Sequence, residues 1–340
     1  MLHLKNKTEI SIYKFDFLKE VEIRSSWDTL TDTATLLLPK KISYKNALGV
    51  LTKKITGSVD VFDPKDYPVF VQGDYAKLSG GYGDDVPQIF SGYIRAVAPN
   101  HPIKISFEDN MYFLKNIFIE KLSFKSVSLK TLINKITEGI PNHIKLNVVE
   151  GVELGQIRIS GSTAAEVLSH IKKKYGLVSW FRDDTLNVGL AYLSDQPNEL
   201  KIHKFIASGE SCNVISTDNL EYKTEDQVKI KLKVISIYPD NTKKDVTIGD
   251  LSGALRTVYF YDVPESSLKS MGQEMLNKMV YEGYIGYFTT FLLPTVRHGD
   301  AVKLSDPEFP DREGIYLVKE VVTNYGINGG RQKITLDRKI

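Results

Sequence analysis

The chain carries 340 residues, 42% hydrophobic and 25% charged, a balance that excludes a disordered or fibrous polymer and supplies core for two or three domains. A formal net charge of +2, with Lys and Arg spread among Asp and Glu, excludes a strong field for nucleic acid or anionic lipid. Cys212 is the only cysteine, which excludes an intrachain disulfide framework and reads as a small buried hydrophobe in a reducing compartment. The start, Met1-Leu2-His3-Leu4-Lys5-Asn6-Lys7, lacks the apolar core of a signal peptide, and no apolar run is long enough to span a bilayer, so synthesis in the cytosol is expected.

The first hundred residues read as strands: Val21 and Ile23, Ala34 to Leu38 closed by Pro39, Val69 to Val71, Ala76 to Leu78, Ile89 to Val97 and Ile103 to Phe107. Between Lys40 and Tyr67 the pattern loosens into Lys, Ser, Gly, Asp and Pro, as in a loop insertion. Strands joined by tight turns favour a small barrel. From Ser128 to Ile140 the spacing of Leu129, Leu132, Ile133 and Ile136 predicts a helix. A second helix follows Thr163, whose capping box with Glu166 precedes an apolar face of Ala164, Val167, Leu168 and Ile171, and Gly176 stops it. Val178 to Gly189 alternates around Asp183-Asp184 and predicts a hairpin. Strands resume from Leu200, notably Leu220 to Tyr222, Val228 to Tyr238 and Thr257 to Tyr261. They are interrupted by a helix opened by Pro264 and carrying Leu268, Met271, Met275, Leu276 and Met279.

An internal repeat is the most informative feature. Gly73-Asp74-Tyr75-Ala76-Lys77-Leu78-Ser79 recurs as Gly299-Asp300-Ala301-Val302-Lys303-Leu304-Ser305, identical at five of seven positions. Each heptad leads to a strand opened by Gly, Gly92 to Val97 or Gly314 to Val318, and then to another, Ile103 to Phe107 or Gln332 to Leu336. Gly-Asp before a strand is what a sharp turn requires, since Gly accepts positive φ and Asp bonds neighbouring backbone. Gly73, Asp74, Gly299 and Asp300 are therefore read as structural turns, because neither Asp has a His, Cys or second carboxylate at ligand spacing. Two similar units per chain would let a trimer display six near-equivalent units around one axis.

Other constellations carry less. His3, His101, His143, His170, His203 and His298 contain no pair at i, i+4 spacing. Gly80, Gly81 and Gly83 lack the Lys-Ser/Thr of a phosphate loop. Glu108 and Asp109 are adjacent on a strand and face opposite ways, unlike a glycosidase pair. Lys172-Lys173-Lys174 complements a helix C-terminus.

Taken in order, Asp32 to Pro39, Gly73-Asp74, Phe90-Ser91-Gly92-Tyr93-Ile94, Ile105 to Asp109, the Leu129 to Ile136 helix, Ser162-Thr163, Tyr175-Gly176-Leu177 and Gly299-Asp300 resemble the phage baseplate hub family. That family, also called late control protein D, shares its fold with the base of type VI secretion spike proteins. The resemblance implies a mainly β fold with an α+β insertion, in which two similar small tube-type β-barrels flank an α+β module. The expected divisions are 1–112, with a loop insertion at 40–67, then 113–195, then 196–340 with a helical and strand insertion around 238–282. It further implies a structural protein of the virion baseplate with no catalytic residues, cofactor or metal. Three copies would form a pseudo-sixfold ring with the tail tube or a tube initiator on one face and a spike on the other. Because Ile340 directly follows the second barrel, the spike is expected to be a separate polypeptide. No sequence-specific nucleic-acid contact and no membrane insertion are expected. Two alternatives are a hub of a type VI or other contractile injection system, and a tail-associated cell-wall hydrolase, which would need a paired acid and base or a metal site.

Overall fold

Alternation of buried and half-exposed side chains sets the strands of the first third. The structure, a computed structural model, describes residues 3–11, 13–39, 41–42, 59–60, 70–98, 101–189, 199–205 and 212–340. It opens with β1 (Leu4–Ile10), β2 (Tyr13–Phe15), β3 (Glu20–Ser26) and β4 (Thr33–Leu38), in which Ala34, Leu36 and Leu38 point into the core. β5 (Lys41–Ile42) pairs with β6 (Val59–Asp60), and the rest of the loop insertion expected over 40–67 lies outside the described residues. β7 (Tyr75–Tyr82), β8 (Gln88–Ala98) and β9 (Ile103–Glu108) complete this strand set. The strand expected at 69–71 does not form at Phe70 and Val71, because the Val71 N–H is drawn into the following turn, where it donates to the Asp74 carboxylate at 2.9 Å. Val69 lies outside the described residues.

The middle of the chain builds its own core. It contains α1 (Met111–Asn116), β10 (Phe118–Phe124), α2 (Leu129–Ile136), β11 (Lys145–Val148), β12 (Ile157–Thr163), α3 (Ala164–Tyr175), β13 (Val178–Arg182) and β14 (Thr185–Gly189). Leu129, Leu132, Ile133 and Ile136 of α2 meet Val167, Leu168 and Ile171 of α3 in one buried cluster. The Thr163 hydroxyl accepts from Glu166 N at 3.2 Å and the Glu166 carboxylate accepts from Thr163 N at 2.7 Å, so two backbone donors that the helix leaves free are satisfied. Thr163→Ala is expected to lower stability by about 1 kcal/mol, checked by urea unfolding. Gly176, at φ +70, ends α3; a Cβ there would lie 2.0 Å from the Tyr259 ring.

The last third contains β15 (Leu200–Lys204), β16 (Val214–Lys223), β17 (Ile230–Ile237), β18 (Lys243–Gly249), β19 (Ala254–Tyr261), α4 (Glu265–Met279), β20 (Gly283–Thr290), β21 (Ala301–Ser305), β22 (Gly314–Gly326) and β23 (Gly329–Lys339). Strands β18-β17-β19 form a separate small sheet. Against it α4 buries Leu268, Gly272 and Leu276, while Met271, Met275 and Met279 are only half-buried. Gly272 supplies the close contact: a Cβ there would sit 2.6 Å from Val234 Cγ2.

The fold is mainly β with an α+β insertion, as the sequence predicts, but the two closed barrels are not what forms. Among the described residues no sheet closes on itself. A single sheet runs β16-β20-β23-β22-β3-β4-β9-β8-β7-β1-β2, with β21 and β15 branching from β22. The cause is the length of β22, which has 13 residues. Its first part pairs with β21, and beyond a bulge it pairs with β3 from Glu320 opposite Ser26 to Gly326 opposite Glu20. The edge that barrel closure would remove is satisfied by the other half of the chain instead.

Candidate functional site

The two Gly-Asp turns fold alike. Gly73 and Gly299 take φ +93 and +79, a region that an L side chain enters only with strain. Asp74 Oδ2 accepts from Val71 N at 2.9 Å, and Asp300 Oδ2 accepts from Arg297 N at 2.8 Å. Gly73 N donates to Ile94 O and Ile94 N donates to Asp74 O, while Gly299 N donates to Val318 O and Val318 N to Asp300 O, all at 2.9 Å. Each turn therefore pins the start of one strand to the middle of the next.

The likeness extends through the register. Tyr75 opposes Tyr93 and Leu78 opposes Phe90, as Ala301 opposes Leu317 and Leu304 opposes Gly314. Beyond the turn, β8 carries a bulge between Ile94 and Ala96 where β22 carries one between Val318 and Glu320. Ala96 then opposes Ser106, and Glu320 opposes Thr335. The strand order β3-β4-β9-β8-β7-β1 is matched by β16-β20-β23-β22-β21-β15. One difference lies at the flank, where β1 runs antiparallel to β7 but β15 runs parallel to β21.

The two turns differ in what covers them. Asp300 is 1% exposed, and its Oδ1 accepts from Arg182 Nη2 at 2.9 Å, a contact supplied by the hairpin of the α+β module. Burial raises the Asp300 pKa and the Arg182 charge opposes that rise. Asp74 is only half-buried, and its turn lies under Tyr112 of α1, whose hydroxyl would be 3.2 Å from a Cβ on Gly73.

A polar seam runs beside the covered turn, around a cavity of about 60 Å³ lined by Asp32, Asp109, Arg182, Asp183, Arg297 and His298 among others. Asp109 Oδ1 accepts from Met111 N at 2.9 Å and its Oδ2 from Asp32 N at 3.1 Å. Burial first, and the neighbouring Asp32 charge second, hold the Asp109 carboxyl well above the usual carboxylate range. Asp32 accepts from Ser26 N at 3.1 Å and from the Ser25 hydroxyl at 2.5 Å, and His298 Nε2 lies 3.6 Å from it. Arg297 Nη1 meets Asp183 Oδ1 at 2.7 Å. The seam ties the first repeat, the module and the second repeat together. Ser25 donates to Asp32 rather than to His298, so this is not a nucleophile with its base.

The discounted constellations also have structural partners. Glu108, at 4% side-chain exposure, is bound by Arg95 at 3.2 Å and Lys115 at 2.9 Å. Lys172 joins α3 to Asp28 at 2.9 Å. Gly80 and Gly81 lie in β7, where a Cβ on Gly81 would be 1.9 Å from Asp85 O. His203 is fully buried against the Phe288 ring, and desolvation lowers its pKa to about 4. Among the described residues no group of three or more His, Cys, Asp or Glu could hold a metal ion, and no helix is long and apolar enough to cross a membrane. Sequence reasoning missed the seam. The available signal was Arg297-His298 before the second heptad, where the first has Val71-Gln72.

No protein-family model matches the chain, and no curated protein sequence matches it. Solved structures do. A tail protein from Neisseria meningitidis MC58 is similar at a TM-score of 0.62 and 16% identity, over 99% of this chain and 96% of that one. The 43 kDa tail protein of prophage MuSo2 from Shewanella oneidensis is similar at 0.59 and 14%, over 99% and 98%. The E. coli c3393 protein, a component of the type VI secretion system with structural similarity to the T4 tail proteins gp27 and gp5, is similar at 0.55 and 10%, over 99% and 76%. The chain thus has the fold shared by phage tail proteins and a type VI secretion component, which is the fold that its resemblance to the baseplate hub family implies.

Proposed function

We propose that this chain is a structural baseplate hub of a contractile phage tail, with 1–112 and 196–340 as its two tube-type domains and 113–195 as the module between them. Three copies form a pseudo-sixfold ring in the virion baseplate, holding the tail tube or its initiator on one face and a separate spike on the other. The doubled six-strand order carries this reading, because a chain with two equivalent units converts threefold assembly into six near-equal positions. A structural role without catalysis suits the seam, whose charged groups are spent on one another and on backbone. A cell-wall hydrolase needs an acid facing a base across a cleft, whereas Glu108 and Asp109 are held by Arg95, Lys115 and backbone N–H groups. The likeness to c3393 favours a second setting for the same role, a type VI or other contractile injection machine, which genome neighbours would separate from a phage tail.

Light scattering across a concentration series, with negative-stain images of the largest species, tests the ring. The expected species is a trimer with a central hole, burying on the order of 1,000 Å² per contact. A compact dimer as the only assembly would sink the proposal.

A further inference from the structure

Strand β15 reads Leu200-Lys201-Ile202-His203-Lys204, and a strand turns alternate side chains to opposite faces. Leu200, Ile202 and Lys204 therefore share one face, and Lys201 and His203 the other. The apolar face is the one left outside. Leu200 is 49% exposed and Ile202 52%, whereas His203 is completely buried, 5.2 Å from the Phe288 ring of β20 and opposite Leu304 of β21. Neither imidazole nitrogen has a hydrogen-bond partner. An imidazole placed in this way stays neutral, since a proton on it would leave an unpaired charge in an apolar core.

Little else holds the strand. It meets β21 over five register positions, where β1, the corresponding flank of the first repeat, meets β7 over seven. Among the described residues no strand pairs with its outer edge. The Asn213 side chain takes that place, accepting from Lys204 N at 2.8 Å and donating to Ile202 O at 3.1 Å. The charged and titratable groups around His203 are engaged with one another. Lys201 is paired with Glu199, and Lys303 of β21 faces Glu313 at 3.9 Å. Lys204 lies on the outer face. Asp306, just past β21, accepts from Glu308 N at 3.1 Å, from Phe309 N at 3.3 Å and from the Tyr284 hydroxyl of β20 at 3.4 Å. The Tyr316 hydroxyl of β22 accepts from Tyr284 N at 2.9 Å. Burial alone moves the His203 pKa, and it moves it down.

We infer that β15 is an acid-released latch: protonation of His203 frees residues 200–204 from β21 and from Asn213 while the rest of the large sheet stays folded. In the released strand the imidazole is solvated and titrates at its ordinary 6.5, against about 4 in the closed strand. The closed form is thus fully favoured above 6.5 and loses ground as pH falls toward 4. At pH 5 the ratio of released to closed strand is about 30 times its value at pH 8. Release uncovers the backbone edge of β21 beside the Gly299-Asp300 turn, and an uncovered edge is a template for another strand. The latch acts within one chain and does not depend on the ring.

Hydrogen–deuterium exchange of the full chain at pH 8 and pH 5, corrected for the intrinsic pH dependence of amide exchange, tests the latch. Lys204 N, Phe205 N and Ala301 N, which donate to Asn213 Oδ1, Ser305 O and Glu199 O, report on β15. Amides of the β3–β4 ladder report on the rest of the sheet. The expected result is an about 30-fold loss of protection at the first three amides on going to pH 5, with the β3–β4 ladder still protected. In His203→Leu and His203→Phe that loss should disappear, and two apolar replacements of different size keep one poorly packed variant from deciding the outcome. Equal loss in both regions would place the effect in global unfolding and overturn the latch. Unchanged protection at β15 in the wild type, or a loss that persists in both variants, would overturn the role of His203.

Discussion

Asp300→Ala is expected to lower unfolding stability by about 3 kcal/mol and Asp74→Ala by about 1 kcal/mol, although the two residues make the same turn. Both carboxylates accept from the backbone N–H three residues earlier, at 2.8 and 2.9 Å. At Asp74 that donor is near solvent, and water replaces the lost acceptor. At Asp300 the alanine also strands the Arg182 guanidinium, whose side chain is 21% exposed and whose Nη1 is already fixed on His298 O at 3.2 Å. Breaking one side of a buried pair leaves a charge without compensation, which outweighs the loss of a turn hydrogen bond. Asp300→Asn keeps an acceptor for Arg297 N and removes only the charge, so its loss should fall between the other two. Urea unfolding of the three variants checks the order, and equal losses at Asp74 and Asp300 would show that the ion pair contributes nothing.

That asymmetry bears on assembly. Six equivalent units would demand six equivalent neighbours, yet only the second turn of each chain is covered by the α+β hairpin, through Arg182 and Arg297. The hairpin thus contacts one of the two turns and not the other, so in the proposed ring the two repeats of a chain would stand in unlike surroundings at their turns.

The local signals in the sequence held where local physics decides the outcome. The Thr163–Glu166 box, Gly176 and the Asp183 turn, at φ +51, need only adjacent residues, and each stands where its chemistry predicts. Helix α1 was not legible, because Met111–Asn116 is a six-residue helix with Asn110 offering no side-chain cap. Its stability comes from burying Met111 and Leu114 in the module core, a tertiary effect. Strand β18 escaped notice for a similar reason: Lys-Lys-Asp-Val-Thr-Ile-Gly has one buried side chain, and it forms by pairing with β17. The open sheet in place of two barrels had no local signature, since nothing within Gly314–Gly326 says that its second half will pair with residues 20–26. The seam was equally hidden, because Asp32, Asp109, Arg182 and His298 are brought together only by that long-range pairing.

Asp109→Asn is expected to destabilise the protein most at acidic pH, with the loss shrinking as pH rises. The Asp109 carboxyl is 7% exposed, and burial together with the Asp32 charge raises its folded pKa well above the usual carboxylate range. Between the unfolded and the folded pKa the native protein keeps a proton that the unfolded chain releases, so this group makes stability fall as pH rises through that window and leaves it flat above. Asparagine never ionises and removes that slope. At low pH, where the wild-type carboxyl is neutral, the variant gives up only hydrogen-bond quality, since the amide offers one oxygen to the two donors Met111 N and Asp32 N. A loss of about 1–2 kcal/mol is expected there. At higher pH the wild type carries a buried charge beside Asp32, with Lys115 as the counterion that lowers the pKa, and the variant does not. Urea unfolding of both proteins from mildly acidic to neutral pH measures the difference directly. A loss independent of pH would mean that Asp109 is ionised throughout, with the backbone donors and Lys115 outweighing burial.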